Sequence, residues 1–273
     1  GMNALTANTT GHSNVAVGFE ALKTNIDGDG LVAIGYKALN VFEPNDGLRY
    51  TIAIGYEAGL ACTQGGDNVF IGGLAGHDVT DGNNNVAIGK NALATNVQGD
   101  RNTAVGYEAL TTMNPSGDVD TNNTAFGYQA LKANTTGVRN TAVGTEAGSA
   151  LTTGDNNTAI GLGALNTSTS GDNNVALGYQ ALEDITTGTR NTLIGGLASE
   201  ALTTGSANVV IGYDCETSAV DTGNSIVMGE SVTGVGGNNF TFGNGSLDSN
   251  IAFGATSITA PSDIRLKEDI QDE

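Results

Sequence analysis

The chain of 273 residues has no Trp, only 3 Pro and 2 Cys, and no long run of apolar residues. A transmembrane helix needs about 20 consecutive apolar residues, a collagen-like chain needs Gly at every third position and far more Pro, and a small disulfide-stabilised protein needs more Cys. Basic residues are scarce, because 10 Lys and Arg stand against 29 Asp and Glu and give a net charge of −19. We therefore expect neither membrane insertion nor a nucleic-acid partner, since such a chain repels phosphate.

Glycine, by contrast, is abundant, with 41 residues, which is about twice its usual share. Fifteen of these glycines each follow a short apolar segment, and their successive spacings are 17, 20, 17, 17, 17, 21, 17, 17, 17, 17, 17, 17, 14 and 11. This regularity predicts one structural unit repeated along most of the chain. The fifteen are Gly18, Gly35, Gly55, Gly72, Gly89, Gly106, Gly127, Gly144, Gly161, Gly178, Gly195, Gly212, Gly229, Gly243 and Gly254.

The repeated unit is clear in residues 157–173. Asn stands four positions before the Gly, and β-branched or other apolar residues stand three positions and one position before it, with Ala usually between them. Ala recurs three positions after the Gly, often followed by Leu, and a second Gly recurs ten positions after it. Helical repeats run to about 33–47 residues, so 17 residues favour one coil of an all-β parallel solenoid, stacked at about 4.8 Å on the next coil.

The pattern predicts where each column of equivalent residues lies. We expect two strands and two Gly corners per coil, with the apolar residues around the central Ala forming the interior. Asn should form an amide ladder at a corner, both Gly columns should supply positive φ, and the insertions around Phe42–Arg49 and Asn114–Asn122 should be loops. The Ala columns are expected to pack near a symmetry axis between chains. The aromatic residue that often follows the Gly is expected to pack between coils or chains, with a carbohydrate-stacking ladder as the alternative.

The segments 85–89, 102–106 and 157–161, each with Asn first, Ala in the middle and Gly last, resemble the head repeat of trimeric autotransporter adhesins. The resemblance covers about residues 12–245. It implies a left-handed parallel β-roll that assembles as a homotrimer, here with coils of 17 residues.

Residues 262–270, Ser-Asp-Ile-Arg-Leu-Lys-Glu-Asp-Ile, resemble the opening of the endosialidase-type intramolecular chaperone domain, which ends many phage tail fibres. That family cuts itself just before the Ser, so the resemblance implies that Ser262 and Lys267 are the catalytic pair, with Lys activating the hydroxyl. Only twelve residues follow Pro261. We therefore expect the body of that domain to be missing, the pair to be inactive and the chain not to be an enzyme.

These observations divide the chain into four parts. Residues 1–11 are expected to be a cloning scar and lead-in, 12–245 the β-roll, 246–261 short final coils and a linker, and 262–273 the remnant of the chaperone domain.

Residue types that carry chemistry are few and scattered. His12 and His77 lie in different coils, without partners in the pattern, which disfavours a zinc site or a triad. Cys62 and Cys215 are about nine coils apart, too far for a disulfide. Corner acids supply about one ligand per coil, fewer than calcium needs, so no metal or cofactor is expected: Asp67, Asp100, Asp155 and Asp172. A Thr column is interpreted as interior or interface rather than as an ice-binding face: Thr103, Thr124, Thr141, Thr158 and Thr192.

The function that the sequence favours is that of a structural and adhesive segment of a phage tail fibre. It would present corner loops to a glycan or protein receptor on a host cell, in a virion tail fibre or at an extracellular cell surface. The head of a bacterial trimeric surface adhesin is the alternative. A polysaccharide-degrading enzyme on a solenoid is less favoured, because the acids alternate with Lys, Gln or Asn at one position of the repeat and indicate a solvated face.

Self-cleavage is the first expectation that experiment can test. After long incubation, mass spectrometry should show one intact chain, because the residues that would complete a catalytic site around Ser262 are missing. Two fragments that separate just before Ser262 would contradict this prediction, and Ser262→Ala is the control for cleavage by a contaminating protease.

Overall fold

A computed structural model describes residues 1–43 and 49–255, which form an all-β solenoid of about 13 turns without a helix. Within these residues, fifteen strands make one continuous sheet and two more make a small second sheet. No helix in the described part of the chain is long and apolar enough to cross a membrane. The strands are β1 Val15–Val17, β2 Val32–Ile34, β3 Ile52–Ile54, β4 Val69–Ile71, β5 Val86–Ile88, β6 Gly99–Asp100, β7 Thr103–Val105, β8 Val119–Asp120, β9 Thr124–Phe126, β10 Thr141–Val143, β11 Thr158–Ile160, β12 Val175–Leu177, β13 Thr192–Ile194, β14 Val209–Tyr213, β15 Ile226–Glu230, β16 Asn239–Gly243 and β17 Ser249–Ala252.

The register of the main sheet follows the spacing of the glycines. Val15 pairs with Val32 and Thr141 with Thr158, an offset of 17, and the offset grows only where the sequence has its insertions. From β1 to β16 all neighbours are parallel, whereas β17 runs antiparallel to β16. The final spacing of 11 residues therefore marks a hairpin rather than another parallel coil.

Each turn contains one strand of the main sheet, so the prediction of two strands per coil is wrong. The residues that follow each Gly fold as consecutive turns. Their backbone is the reason: Glu108 and Leu110 have φ of 53° and 50°, and equivalent residues in most turns are also left-handed. Left-handed residues at alternate positions prevent an extended strand. The exception is the second sheet, in which β8, within the insertion 114–122, pairs with β6.

The first insertion lies partly outside the described residues, because the structure describes nothing between Phe42 and Arg49 except Glu43. Phe42 itself is buried.

The interior is the reverse of the predicted one. The central Ala of most strands, such as Ala104 or Ala142, is fully buried, while the β-branched residues on either side of it face outward. The second Ala column, which includes Ala109 and Ala147, is buried from the opposite side of the same turn. Both Ala columns therefore fill the lumen of one chain and do not lie at a contact between chains. The two walls are close together, so most strand centres hold only the methyl group of Ala.

One position shows how closely the lumen is filled. Phe70 replaces the central Ala of its strand, and its ring is fully buried. Gly59 and Gly76 stand where other turns have Leu, such as Leu39 and Leu93. A Cβ at Gly59 or Gly76 would collide with the Phe70 ring. The larger side chain is thus compensated by smaller residues in the turns that contact it.

The predicted Asn ladder is confirmed and is completely buried. In a typical rung, the side-chain oxygen of Asn157 accepts the backbone N–H of Asn174 at 2.9 Å. The amide nitrogen of Asn157 donates to the carbonyl of Gly171 at 2.8 Å and to the Asn140 side chain at 3.1 Å. Each Asn therefore ties its own turn closed and binds it to the next turn. The buried rungs are Asn68, Asn85, Asn102, Asn123, Asn140, Asn157, Asn174, Asn191 and Asn208.

The two columns contain glycine for different physical reasons. Gly161, like the other glycines that follow the strands, has a strongly positive φ, here 134°, as predicted. The second column does not, and the prediction of positive φ there is wrong. A Cβ at Gly154 would instead collide with the carbonyl oxygen of Gly171 in the next turn. In that column, glycine allows close approach of neighbouring backbones.

Residues 1–11 stack on the first complete turn in the register of the repeat. The Leu5 N–H donates to the Ala21 carbonyl as the Leu22 N–H donates to the Ala38 carbonyl. In the structure the repeat thus includes the segment that we expected to be a lead-in.

Replacing one rung of the ladder should weaken the whole rod. Asn157→Ala leaves the Asn174 N–H and the Gly171 carbonyl buried without this partner, which costs about 2–5 kcal/mol. Denaturant unfolding followed by circular dichroism measures the loss.

The matched control is Thr153→Ala, since Thr153 is exposed on the same stretch of the rod and its removal should change the free energy of unfolding by less than about 0.5 kcal/mol. Equal stability of the two variants would show that the ladder contributes nothing.

Candidate interaction surface

An apolar ribbon runs along the outer face of the main sheet. It consists of the residues directly before the Gly column, whose side chains are exposed or half-buried and uncharged. Because successive rungs are about 4.8 Å apart, these side chains form a continuous surface, which is unusual on an isolated soluble chain. The residues of the apolar ribbon are Val17, Ile34, Ile54, Ile71, Ile88, Val105, Phe126, Val143, Ile160, Leu177, Ile194, Ile211 and Met228.

The neighbouring β-branched column, three positions before the Gly, widens the ribbon. It contains the Thr residues of the sequence pattern, such as Thr141 and Thr158, and these alternate with Val and Ile. They are half-buried on the outer face. The prediction that they lie in the interior is therefore wrong, and an interface remains the prediction for them.

An aromatic column borders the ribbon on its other side, at the position directly after the Gly. Tyr36 stacks on Phe19 and on Tyr56, with ring centroids 5.4 and 5.2 Å apart. Tyr107 and Tyr128 stack at 5.5 Å. The interpretation as packing between coils is confirmed for these rings. Tyr36 has a ring on both of its faces, whereas each end ring of a stack has a ring on one face only. The aromatic column consists of Phe19, Tyr36, Tyr56, Tyr107, Tyr128, Tyr179 and Tyr213.

The acids of the repeat are less solvated than the sequence indicates. The Glu20, Glu57 and Glu108 side chains are only 15–18% exposed. Glu108 forms an ion pair with Lys132 at 2.7 Å and accepts a hydrogen bond from Gln129 at 2.8 Å. The Lys132 hydrogen bond, supported by Tyr107 and Gln129, lowers the pKa of Glu108 to about 2.

Carboxylates near the C-terminal end of the described solenoid lack such a cation. Burial raises the pKa of Glu216 above its ordinary value, and the charges of Glu200 and Asp214 add to this effect. One Glu216 oxygen accepts the Glu200 N–H at 3.1 Å, and the other is buried without a partner. Burial also raises the pKa of Glu183, which lies two turns closer to the N-terminus. Both carboxyl groups therefore keep a proton up to a higher pH than an exposed Glu does.

The corner acids connect neighbouring turns. Asp155 accepts the Val138 N–H, and Asp172 accepts the Asp155 N–H, each at 2.8 Å. Asp100 accepts the Asn83 N–H at 2.6 Å. Among residues 1–43 and 49–255, no three His, Cys, Asp or Glu side chains are grouped so as to hold a metal ion. The fourth corner acid, Asp67, has a left-handed backbone with φ of 57°.

Both histidines contact acids, which the sequence pattern does not indicate. His77 lies 2.5 Å from Asp78 and 3.9 Å from Glu57, and His12 lies 3.8 Å from Asp29.

Both cysteines are free and buried. Cys215 occupies the second Ala column, as predicted, and burial raises the pKa of Cys62 to about 12, which makes it unreactive.

Ser262 and Lys267 lie outside the described residues. Comparison with protein-family models, curated proteins and solved structures gives no match.

Glu216 and Glu108 should change the stability of the fold with pH in opposite directions. The raised pKa of Glu216 means that its charged form destabilises the fold, so stability should rise as pH falls through that pKa. Glu216→Gln should therefore increase the denaturant midpoint at pH 7, and this gain should disappear as pH approaches the ordinary value of about 4.5.

Glu108→Gln is the matched comparison. Because the pKa of Glu108 is lowered, its charged form stabilises the fold above about pH 4.5. This stabilisation is lost as pH falls toward 2. The substitution should lower the midpoint at pH 7. Shifts of the same sign for both variants would contradict the assignment. Urea titrations of both variants at several pH values measure these shifts of the midpoint.

Proposed function

We propose that this chain is a structural and adhesive fibre segment, homotrimeric and tail fibre-like, in a virion tail fibre or at an extracellular cell surface. The apolar ribbon carries this proposal. It runs along the sheet from β1 to β15 and presents the same spacing in every turn. Such a surface matches a long, regular partner.

A second and a third copy of the chain are the partners that fit this surface. Only another solenoid repeats at about 4.8 Å, so a copy in register can cover every rung of the ribbon with an equivalent rung. Apolar burial contributes about 25 cal/mol per Å², and the many repeated contacts add. The resemblance to trimeric adhesin heads supports three copies and a left-handed roll of 17-residue coils.

The remaining surfaces suit a fibre. About 13 turns at about 4.8 Å give a rod about 60 Å long. Three chains together carry a net charge of −57, three times −19, which keeps parallel rods apart. The turn face opposite the ribbon stays free to contact a glycan or protein on the host cell. The chaperone-like residues 262–270 support a viral fibre over a bacterial adhesin head, which remains the alternative.

The assembly is tested by mass in solution. Light scattering should give about 82 kDa, three times 27.4 kDa. Phe126→Glu with Leu177→Glu places two charges in the ribbon and should give monomers, because desolvating an unpaired carboxylate at an interface is costly.

Thr153→Glu with Thr187→Glu is the control, since both residues are exposed on the turn face and their substitution should preserve the trimer. A monomeric native chain would overturn the homotrimer. Binding of the labelled trimer to cell surfaces then tests adhesion separately.

A further inference from the structure

Two glycines interrupt the aromatic column, and the fold does not require either of them. Gly73 and Gly196 both stand at the position directly after the Gly column. Neither has the positive φ that favours glycine. A Cβ at Gly73 would meet no atom within 4 Å, and one at Gly196 would meet the Tyr213 ring at an ordinary 3.5 Å. Larger residues would fit, so a different cause is needed.

The tyrosine rings beside these glycines are more exposed than the other rings of the aromatic column. Tyr179 and Tyr213, on either side of Gly196, are 53% and 56% exposed, whereas Tyr36 and Tyr107 are 39% and 40% exposed. Each therefore presents a ring face that no other ring of the column covers. Gly73 has an aromatic neighbour on one side only, because Lys90 occupies the next turn. Gly196 alone has a tyrosine in both adjacent turns.

From the spacing of the turns we infer that the interval at Gly196 can hold one six-membered ring. Equivalent residues two turns apart are separated by about 9.6 Å. In the first stack the same interval is filled by Tyr36, whose centroid is 5.4 Å from Phe19 and 5.2 Å from Tyr56. The slot between Tyr179 and Tyr213 thus corresponds to a stack from which the middle ring has been removed.

The polar groups of these turns indicate which ring enters the slot. Gln180, whose amide donates to Glu183 at 2.6 Å, follows Tyr179, and Asp214 follows Tyr213. These side chains offer acceptors for hydroxyl groups. Between residues 178 and 230 the sequence has one basic residue, Arg190, which lies at an exposed corner where its N–H donates to the Asp172 carbonyl. An anionic sugar would find repulsion, and an aromatic side chain would leave the acceptors unused.

We propose that the slot formed by Tyr179, Gly196 and Tyr213 binds one pyranose ring of an uncharged glycan. The apolar face of the sugar stacks on the tyrosine rings, and its hydroxyls donate to the neighbouring carboxylate and amide oxygens. This assignment rests on the proposed adhesive function and moves the receptor contact from the corner loops to the border of the apolar ribbon.

Gly196→Tyr tests the slot, because the new ring completes the stack and occupies the sugar position without backbone strain. The assembled protein is titrated with neutral oligosaccharides of glucose, galactose, mannose and N-acetylglucosamine, and with their sialylated forms, by saturation-transfer NMR and calorimetry. The native protein should bind at least one neutral glycan, and Gly196→Tyr should weaken this binding about tenfold or more. Thr145→Tyr adds the same side chain elsewhere in the column and should leave binding unchanged.

Three results would overturn the slot: equal binding by the native protein and Gly196→Tyr, binding of sialylated glycans only, or no binding in the panel. Loss of the oligomeric mass in Gly196→Tyr alone would assign the slot to a side chain of another copy. Cell adhesion separates the two proposals. If the native protein and Gly196→Tyr adhere equally, the fibre function stands and the slot fails; if neither adheres, the adhesive function fails.

Discussion

The stacking of one turn on the next through backbone hydrogen bonds governs this molecule. It fixes the register at 17 residues between most neighbouring strands, so each position of the unit meets its equivalents above and below. A residue type then has to satisfy a column rather than a single site. The buried Asn rungs show the consequence most directly, because each Asn forms hydrogen bonds with the rung before it and with the rung after it.

The sequence predicts those features that depend on a strict column. The solenoid, its parallel register and the Asn ladder all follow from residues that recur at fixed spacing and must share one environment. The direction in which a strand faces does not follow, because Val-Ala-Ile is compatible with either face of a strand. The width of the lumen decides which face of the strand is buried. That width is set by left-handed residues in the opposite half of the turn, such as Glu108 and Leu110, and the composition of the chain does not indicate their conformation.

The buried column seven positions after each Gly was missed for a different reason. Its members share burial but not chemistry, for example Phe42, Cys62, Asn96 and Met113. Asn96 closes its own loop through the N–H and carbonyl of Gly99, the Cys62 thiol donates to the Gly65 carbonyl, and Phe42 fills space. The slot at Gly196 is likewise invisible as a motif. It becomes apparent only when the stacked rings elsewhere in the column show what a filled position looks like, since in the sequence Gly196 is one glycine among 41.

The reversed direction of β17 gives the rod two unlike ends. A parallel sheet normally leaves a row of unpaired backbone groups on its last strand, which invites another chain to add. Here β17 reverses direction, and its antiparallel hydrogen bonds pair the free backbone groups of β16. β17 is then the edge strand of the sheet, and a further strand in the direction of the repeat would run antiparallel to it, so the parallel register of the solenoid ends at β16. A repeat that has no intrinsic length acquires one.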